Sequence, residues 1–245
     1  MDWFSSSARQ TKNYAKLFST RAVALGTKYM KRGKASFSTP RVPHTTPEKP
    51  PTWWQNLKNT AKAFCMAPTC IFDSPTICIF VGSALNTATE STYVHSNITH
   101  VFNCADKEDN LPMFYQECVE AYYHLSLRDE SDEEASFVDD PRFHIGMRDF
   151  LHGIFAQDRD PSHKATLLVH CVFGRSRSVA ICIIILFLYY HHTQEHKSMI
   201  DCYEYIGKKR KVVALQRNFL VKLNQFEDRF EHDPTFRENW MSIFE

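Results

Sequence analysis

The chain has 245 residues, with 29 Lys+Arg against 28 Asp+Glu, and 43% of it is hydrophobic. That length suits one large domain or a domain with an extension, and the apolar content excludes wholesale disorder. Seven Gly and eleven Pro exclude a collagen-like chain, and the longest apolar run, residues 179–190, falls short of the roughly eighteen residues that span a bilayer.

The near-zero net charge hides an asymmetry. Residues 1–50 hold ten Lys/Arg against two acids, Asp2 and Glu48, so this part carries +8 and the remainder −7. A basic tail on an acidic domain argues against a nucleic-acid partner. Within the tail, Phe18, Ala22, Leu25 and Tyr29 fall on one helical face flanked by lysines. The segment reads first as a solvated basic tail. Docking on an anionic membrane and a mitochondrial transit peptide stay open as alternatives. Five prolines between residues 40 and 51 mark an extended linker, so 1–52 is expected to be tail and linker.

From Trp53 the pattern alternates between elements. Residues 53–66 are expected as a lead-in helix, within a helical segment at 53–75. Residues 76–81 read as a strand ending at Gly82, 87–95 as a helix and 99–103 as a buried strand. A connector opens at 112–115, and 121–127 reads as a strand. Residues 143–156 read as a helix with Phe143, Met147, Phe150, Leu151 and Ile154 on one side. Residues 165–170 form a continuous apolar strand, 176–192 a buried helix, and 198–208 and 216–230 amphipathic helices. This alternation predicts an α/β fold, a central mostly parallel twisted sheet flanked by helices. The domain is expected at 76–231, with a C-terminal tail at 232–245.

Eight cysteines occur without a CxxC pair and without zinc-ligand spacing, and no signal-peptide apolar core precedes them. Free thiols in a reducing compartment are expected, so the first expectation for location is the cytoplasm. The basic run at 208–211 leaves nuclear import open but reads first as a solvated face. A transit-peptide role for the tail would instead imply mitochondria.

The chemistry concentrates in His170-Cys171-Val172-Phe173-Gly174-Arg175-Ser176-Arg177-Ser178. A buried strand delivers Cys171 to the end of a sheet, a tight loop follows, and a helix begins near Ser176. Backbone N–H groups of such a loop converge on an anion, reinforced by the positive end of the helix. Gly174 supplies backbone freedom. Arg177 can curl back to grip a tetrahedral oxyanion bidentately. The same surroundings lower a cysteine pKa from about 8.5 by roughly 2–4 units, which yields a thiolate at neutral pH. Attack of that thiolate on phosphorus is the natural reaction.

This motif resembles the signature of the dual-specificity phosphatases, within the Cys-dependent protein tyrosine phosphatase superfamily. The resemblance covers roughly residues 75–230. Ile79-Phe-Val-Gly-Ser83 resembles the family's opening strand and Ile98-Thr-His-Val-Phe-Asn103 its second. Arg210 to Phe219, Leu223 and Glu227 resemble its C-terminal helix signature, without the usual Pro. Residues 1–74 have no recognised counterpart. The resemblance implies a phosphotyrosine-phosphatase-like fold and no cofactor or metal. It implies Cys171 as nucleophile and Arg177 as the phosphate clamp. Ser178 would assist thiolate departure, and His170 would orient the loop. Val172, Phe173, Gly174, Arg175 and Ser176 would bind the substrate phosphate.

The family's general acid is an Asp after a strand. Tyr123-His-Leu-Ser-Leu-Arg-Asp129 matches that pattern 42 residues before Cys171, more than the roughly thirty usual in the family. Loops at 139–142 and 158–163 would hold the extra length. Asp129 is the expected acid, and Asp132 is its competitor.

The expected activity is hydrolysis of phosphotyrosine and phosphoserine/threonine in a phosphorylated protein, through a phosphocysteine. Two alternatives stay open. One is a phosphoinositide or phospholipid phosphatase, suggested by Arg175 and the basic tail. The other is a silent phosphate-binding scaffold.

Overall fold

The structure is a computed structural model. It describes residues 62–63, 65–87, 90–106, 119–127, 140–155 and 164–245. The basic tail and Pro-rich linker, most of the expected lead-in helix, the connector at 112–115, Asp129, Asp132 and residues 158–163 lie outside the described residues. The described residues belong to one compact unit, Thr60–Glu245.

Among them five strands form one sheet: β1 (Thr69–Asp73), β2 (Ile77–Ser83), β3 (His100–Asn103), β4 (Ala121–His124) and β5 (Ala165–Cys171). The order is β1-β2-β5-β3-β4, and every pairing is parallel except that of β1 with β2. Parallel strands covered by helices on both faces must be apolar throughout. All seven residues of β5, Ala-Thr-Leu-Leu-Val-His-Cys, are buried. This is the α/β architecture expected from the alternating pattern.

The helices follow from their apolar faces. Two short ones, α1 (Ala84–Thr87) and α2 (Glu90–Ser96), stand where one helix was expected over 87–95. A π-helical turn at Arg142–Met147 leads into α3 (Arg148–Phe155). Helix α4 (Arg177–His192) is apolar nearly all round and buried for most of its length. Neither it nor any other described helix is long and apolar enough to cross a membrane. Helices α5 (Met199–Lys209) and α6 (Arg217–His232) cover it. Phe219, Leu223, Phe226 and Phe230 of α6 recur at helical spacing and are buried. Phe230 meets Phe187 of α4 with ring centroids 5.0 Å apart.

Two expectations need correction. Residues 69–73, placed in a lead-in helical segment, form β1. Thr69, Cys70, Ile71 and Phe72 suit a strand, and the three-residue turn Ser74-Pro75-Thr76 returns the chain to β2, with Ser74 N–H donating to Ile77 O at 2.9 Å. Residues 232–245, expected as a tail, contain α7 (Pro234–Met241) and a 3₁₀ turn (Ser242–Phe244). Asp233 caps α7 through the Phe236 N–H at 3.0 Å, and Pro234 opens its first turn. Phe236, Trp240, Ile243 and Phe244 then bury themselves in the common core. Trp240 lies 5.3 Å from Phe143 and 5.2 Å from Phe226, ring to ring.

Candidate active site

Strand β5 ends on His170 and Cys171. His170 pairs with Asn103 of β3, and Cys171 pairs with Ser83 of β2. The chain then turns through Val172 to Ser176 into α4. Val172 O accepts the Ala84 N–H at 3.2 Å, so the turn leaves the sheet tied to β2's exit. Asn86 Oδ1 accepts from Ser83 N–H at 2.7 Å and pins the same exit.

Gly174 is at φ 65°, in the left-handed region. A Cβ there would also sit 2.4 Å from Gly82 O and 2.9 Å from an Arg210 nitrogen. Conformation and space therefore both require glycine. The turn brings the Gly174 N–H back to the Cys171 sulfur at 3.2 Å. The Ser178 hydroxyl, on the first turn of α4, lies 3.4 Å from the same sulfur. Cys171 is 3% exposed. The loop residues Phe173 and Arg175 stay partly exposed.

Arg177 is 1% exposed and donates through Nη1 to Leu127 O at 3.1 Å. Leu127 precedes Asp129 by two residues, so Arg177 holds the backbone that leads to the expected acid. Ser176 Oγ accepts from Gln216 N–H at 3.2 Å and does not cap α4. The positive end of the helix is therefore not covered by its own N-cap side chain. Arg175 Nε donates to Val212 O at 2.9 Å, and Arg175 O accepts the Ala214 N–H at 3.0 Å. The segment after α5 thus forms one wall of the loop.

His170 is buried, and burial pushes its pKa down to about 3. At neutral pH it is an uncharged ring, which removes it from proton transfer. Burial raises the thiols of Cys104 and Cys182 well above the usual range, and a charge on Cys171 raises both further. These two thiols stay protonated behind the loop.

The sequence reading missed one residue of this site. The run 208–211 was expected to be a solvated face, and Lys208, Lys209 and Lys211 are indeed exposed. Arg210 is 0% exposed. Its Nε donates to Gly174 O at 2.9 Å, its Nη1 to Thr69 Oγ1 at 2.7 Å and its Nη2 to Ala63 O at 3.4 Å. Burial lowers its pKa, opposed by attraction to the Cys171 and Cys182 sulfurs, and it stays cationic. The signal was present: Met199, Cys202, Ile206 and Arg210 share one face at steps of three, four and four, and the first three are buried.

The sheet, the loop and the helix after it define a protein of the tyrosine-phosphatase class. The profile of the dual specificity phosphatase catalytic domain matches residues 79–229. Over 150 residues the chain is 25% identical to dual specificity protein phosphatase 9 of Homo sapiens, covering 61% of this chain and 34% of that protein. The chain thus spans about a third of the length of this curated relative. Human DUSP28 superposes with a TM-score of 0.51 at 17% identity, over 68% of this chain and 96% of that one. The human tyrosine phosphatase-like serine/threonine/tyrosine-interacting protein superposes with 0.51 at 19% identity, over 67% and 97%. The chain belongs to the dual specificity phosphatase catalytic-domain family.

Proposed function

We propose that this domain hydrolyses phosphotyrosine and phosphoserine/threonine esters of proteins through a phosphocysteine. The observation that carries the reading is the Cys171 sulfur, met by the Gly174 N–H at 3.2 Å and by the Ser178 hydroxyl at 3.4 Å. The Gly174 N–H donates to this sulfur, and the Ser178 hydroxyl is placed to donate once the sulfur is charged, an environment that favours the thiolate over the thiol.

In the first step the Cys171 thiolate bonds to phosphorus as the bond to the ester oxygen breaks. Arg177, at the start of α4, holds two equatorial oxygens, and loop N–H groups take the rest of the charge. Asp129, entering as the acid, protonates the departing oxygen. In the second step the ionised Asp129 takes a proton from water, and the oxygen of that water displaces sulfur from phosphorus. The Ser178 hydroxyl donates to the sulfur as it recovers its negative charge. In this reading Val172 to Ser176 form the phosphate-binding loop; Val172 is buried, Phe173 and Arg175 are partly exposed, and Ser176 braces the turn against Gln216.

The test is release of p-nitrophenol from p-nitrophenyl phosphate by the full chain and by Cys171→Ser. Release by the parent and none by the variant is expected. Equal release by both would remove Cys171 as nucleophile, and no release by either would favour the scaffold alternative. Turnover of phosphoinositide vesicles without turnover of phosphopeptides would replace the protein substrate with a lipid.

A further inference from the structure

Strand β1 slips register against β2. Cys70 lies opposite Phe80, whereas Phe72 lies opposite Ile79 and Asp73 opposite Cys78. One residue of β1 is thereby extra. Such a bulge bends its strand and re-aims the side chains beside it. In a regular antiparallel ladder Cys70 and Cys78 would be diagonal neighbours with Cα atoms about 7–8 Å apart. Here their sulfurs stand 3.5 Å apart, on the sheet face opposite buried Ile71, Ile77 and Ile79. Both thiols are free and partly exposed, on the edge strand and its neighbour. A closure of about 1.5 Å would bring the two sulfurs to bonding distance.

We propose that Cys70 and Cys78 form an oxidation site, closing to a disulfide when a two-electron oxidant such as hydrogen peroxide reaches the sheet edge. Peroxide oxidises the Cys70 thiol to a sulfenic acid and is itself reduced, releasing one water. The Cys78 sulfur then bonds to the Cys70 sulfur. The sulfenic hydroxyl leaves with the Cys78 proton as a second water, so two thiol hydrogens and two electrons pass to the peroxide. Burial, together with the contact to Cys70, raises the Cys78 pKa to about 12, which makes Cys78 the less reactive thiol toward peroxide and leaves Cys70 as the sulfur oxidised first.

The site is independent of the phosphatase reading but touches the same scaffold. Thr69, next to Cys70, accepts from Arg210 Nη1, and the same guanidinium holds Gly174 O. A bond between Cys70 and Cys78 anchors the strand on which this Arg210 brace rests.

The full reduced chain is treated with hydrogen peroxide, its remaining thiols are alkylated, and it is cut with trypsin and an Asp-directed protease. Fragments 63–72 and 73–105 should emerge joined and two hydrogens lighter, from a chain that stays monomer-sized on a non-reducing gel. The joined pair should vanish in Cys70→Ser and in Cys78→Ser and persist in Cys65→Ser and Cys104→Ser. Its formation should raise the melting temperature by about 4–8 °C, reversed by dithiothreitol. Separately alkylated fragments at a peroxide dose that oxidises Cys171, or a link running through Cys65 or Cys104, would overturn the site. An unchanged melting temperature with the bond formed would overturn the anchoring.

Discussion

The Nε of Arg210 donates to the carbonyl of Gly174 at 2.9 Å, joining the end of α5 to the tightest point of the loop that carries Cys171. The same guanidinium reaches Thr69 of β1, so one buried cation ties an edge strand, a helix end and the loop together. Arg210→Met should leave Gly174 O and Thr69 Oγ1 without their donor, costing about 2–4 kcal/mol of stability. KM for p-nitrophenyl phosphate should rise about tenfold with a smaller change in kcat. Arg210→Lys should fall between, since an ammonium cannot reproduce the fork. Urea titration and steady-state kinetics read both effects, and unchanged values in the Met variant would sink the bracing role.

Gly174→Ala forces a Cβ to 2.4 Å from Gly82 O at a backbone angle that L residues avoid. The loop must shift or the chain must unfold in part. A loss of at least about 2 kcal/mol and a drop of about a hundredfold in kcat/KM are expected. A variant with normal stability and normal turnover would show that the loop tolerates a side chain there.

Asp129 can be tested by leaving group. Asp129→Asn should slow a phosphoserine peptide by about 10²–10⁴, because an alkoxide departs poorly without a proton. p-Nitrophenyl phosphate, with its good leaving group, should suffer less. Asp132→Asn should stay close to the parent on both substrates. A larger effect at Asp132 would move the acid by three positions.

His170 sets a pH dependence. Its folded pKa of about 3 lies below the ordinary 6.5, so the unfolded chain takes up the proton first as pH falls. The contribution of this group is complete above about pH 6.5 and is lost as pH falls toward 3, at up to about 1.4 kcal/mol per pH unit. His191, lowered first by burial, adds a slope of the same sign, so the variant must be compared with the parent. Between pH 6.5 and 4.5 the carboxylates of Asp73, Asp140, Asp201 and Asp233, all held low by their hydrogen bonds, stay ionised. Unfolding free energies of His170→Gln over that window should fall less steeply with acid than those of the parent. Parallel curves would contradict the buried neutral ring.

Trp240→Ala probes the C-terminal helix. The indole is 2% exposed and touches Phe143, Phe226 and Phe236, so its removal should cost about 3–5 kcal/mol. A cost under 1 kcal/mol in urea would return residues 232–245 to the status of a dispensable tail.

Much of this was legible in the order of residues alone. The run Ala165 to His170 is apolar except at Thr166 and His170, and only a strand buried on both faces or a buried helix accommodates so little polarity; its length and the turn behind it settled on the strand. The amphipathic spacing of Phe219, Leu223, Phe226 and Phe230 likewise needed no neighbours. These are local regularities, repeating at two or at 3.6 residues, and local sterics enforce them wherever the segment lies.

What required the folded chain was every interaction between distant segments. Arg210 looks like one of four consecutive basic residues until Gly174 O and Thr69 Oγ1, 36 and 141 positions away, turn it into a buried brace. The strand at Thr69–Asp73 needed Ile77–Ser83 to satisfy its backbone, and the last helix needed Phe143 and Phe226 to receive Trp240. Cys70 and Cys78 are unremarkable in the sequence and meet only when β1 pairs with β2. Burial and hydrogen-bond partnership belong to space and not to sequence spacing, so the Cys171 loop could be read from the chain while the residues that hold it in place could not.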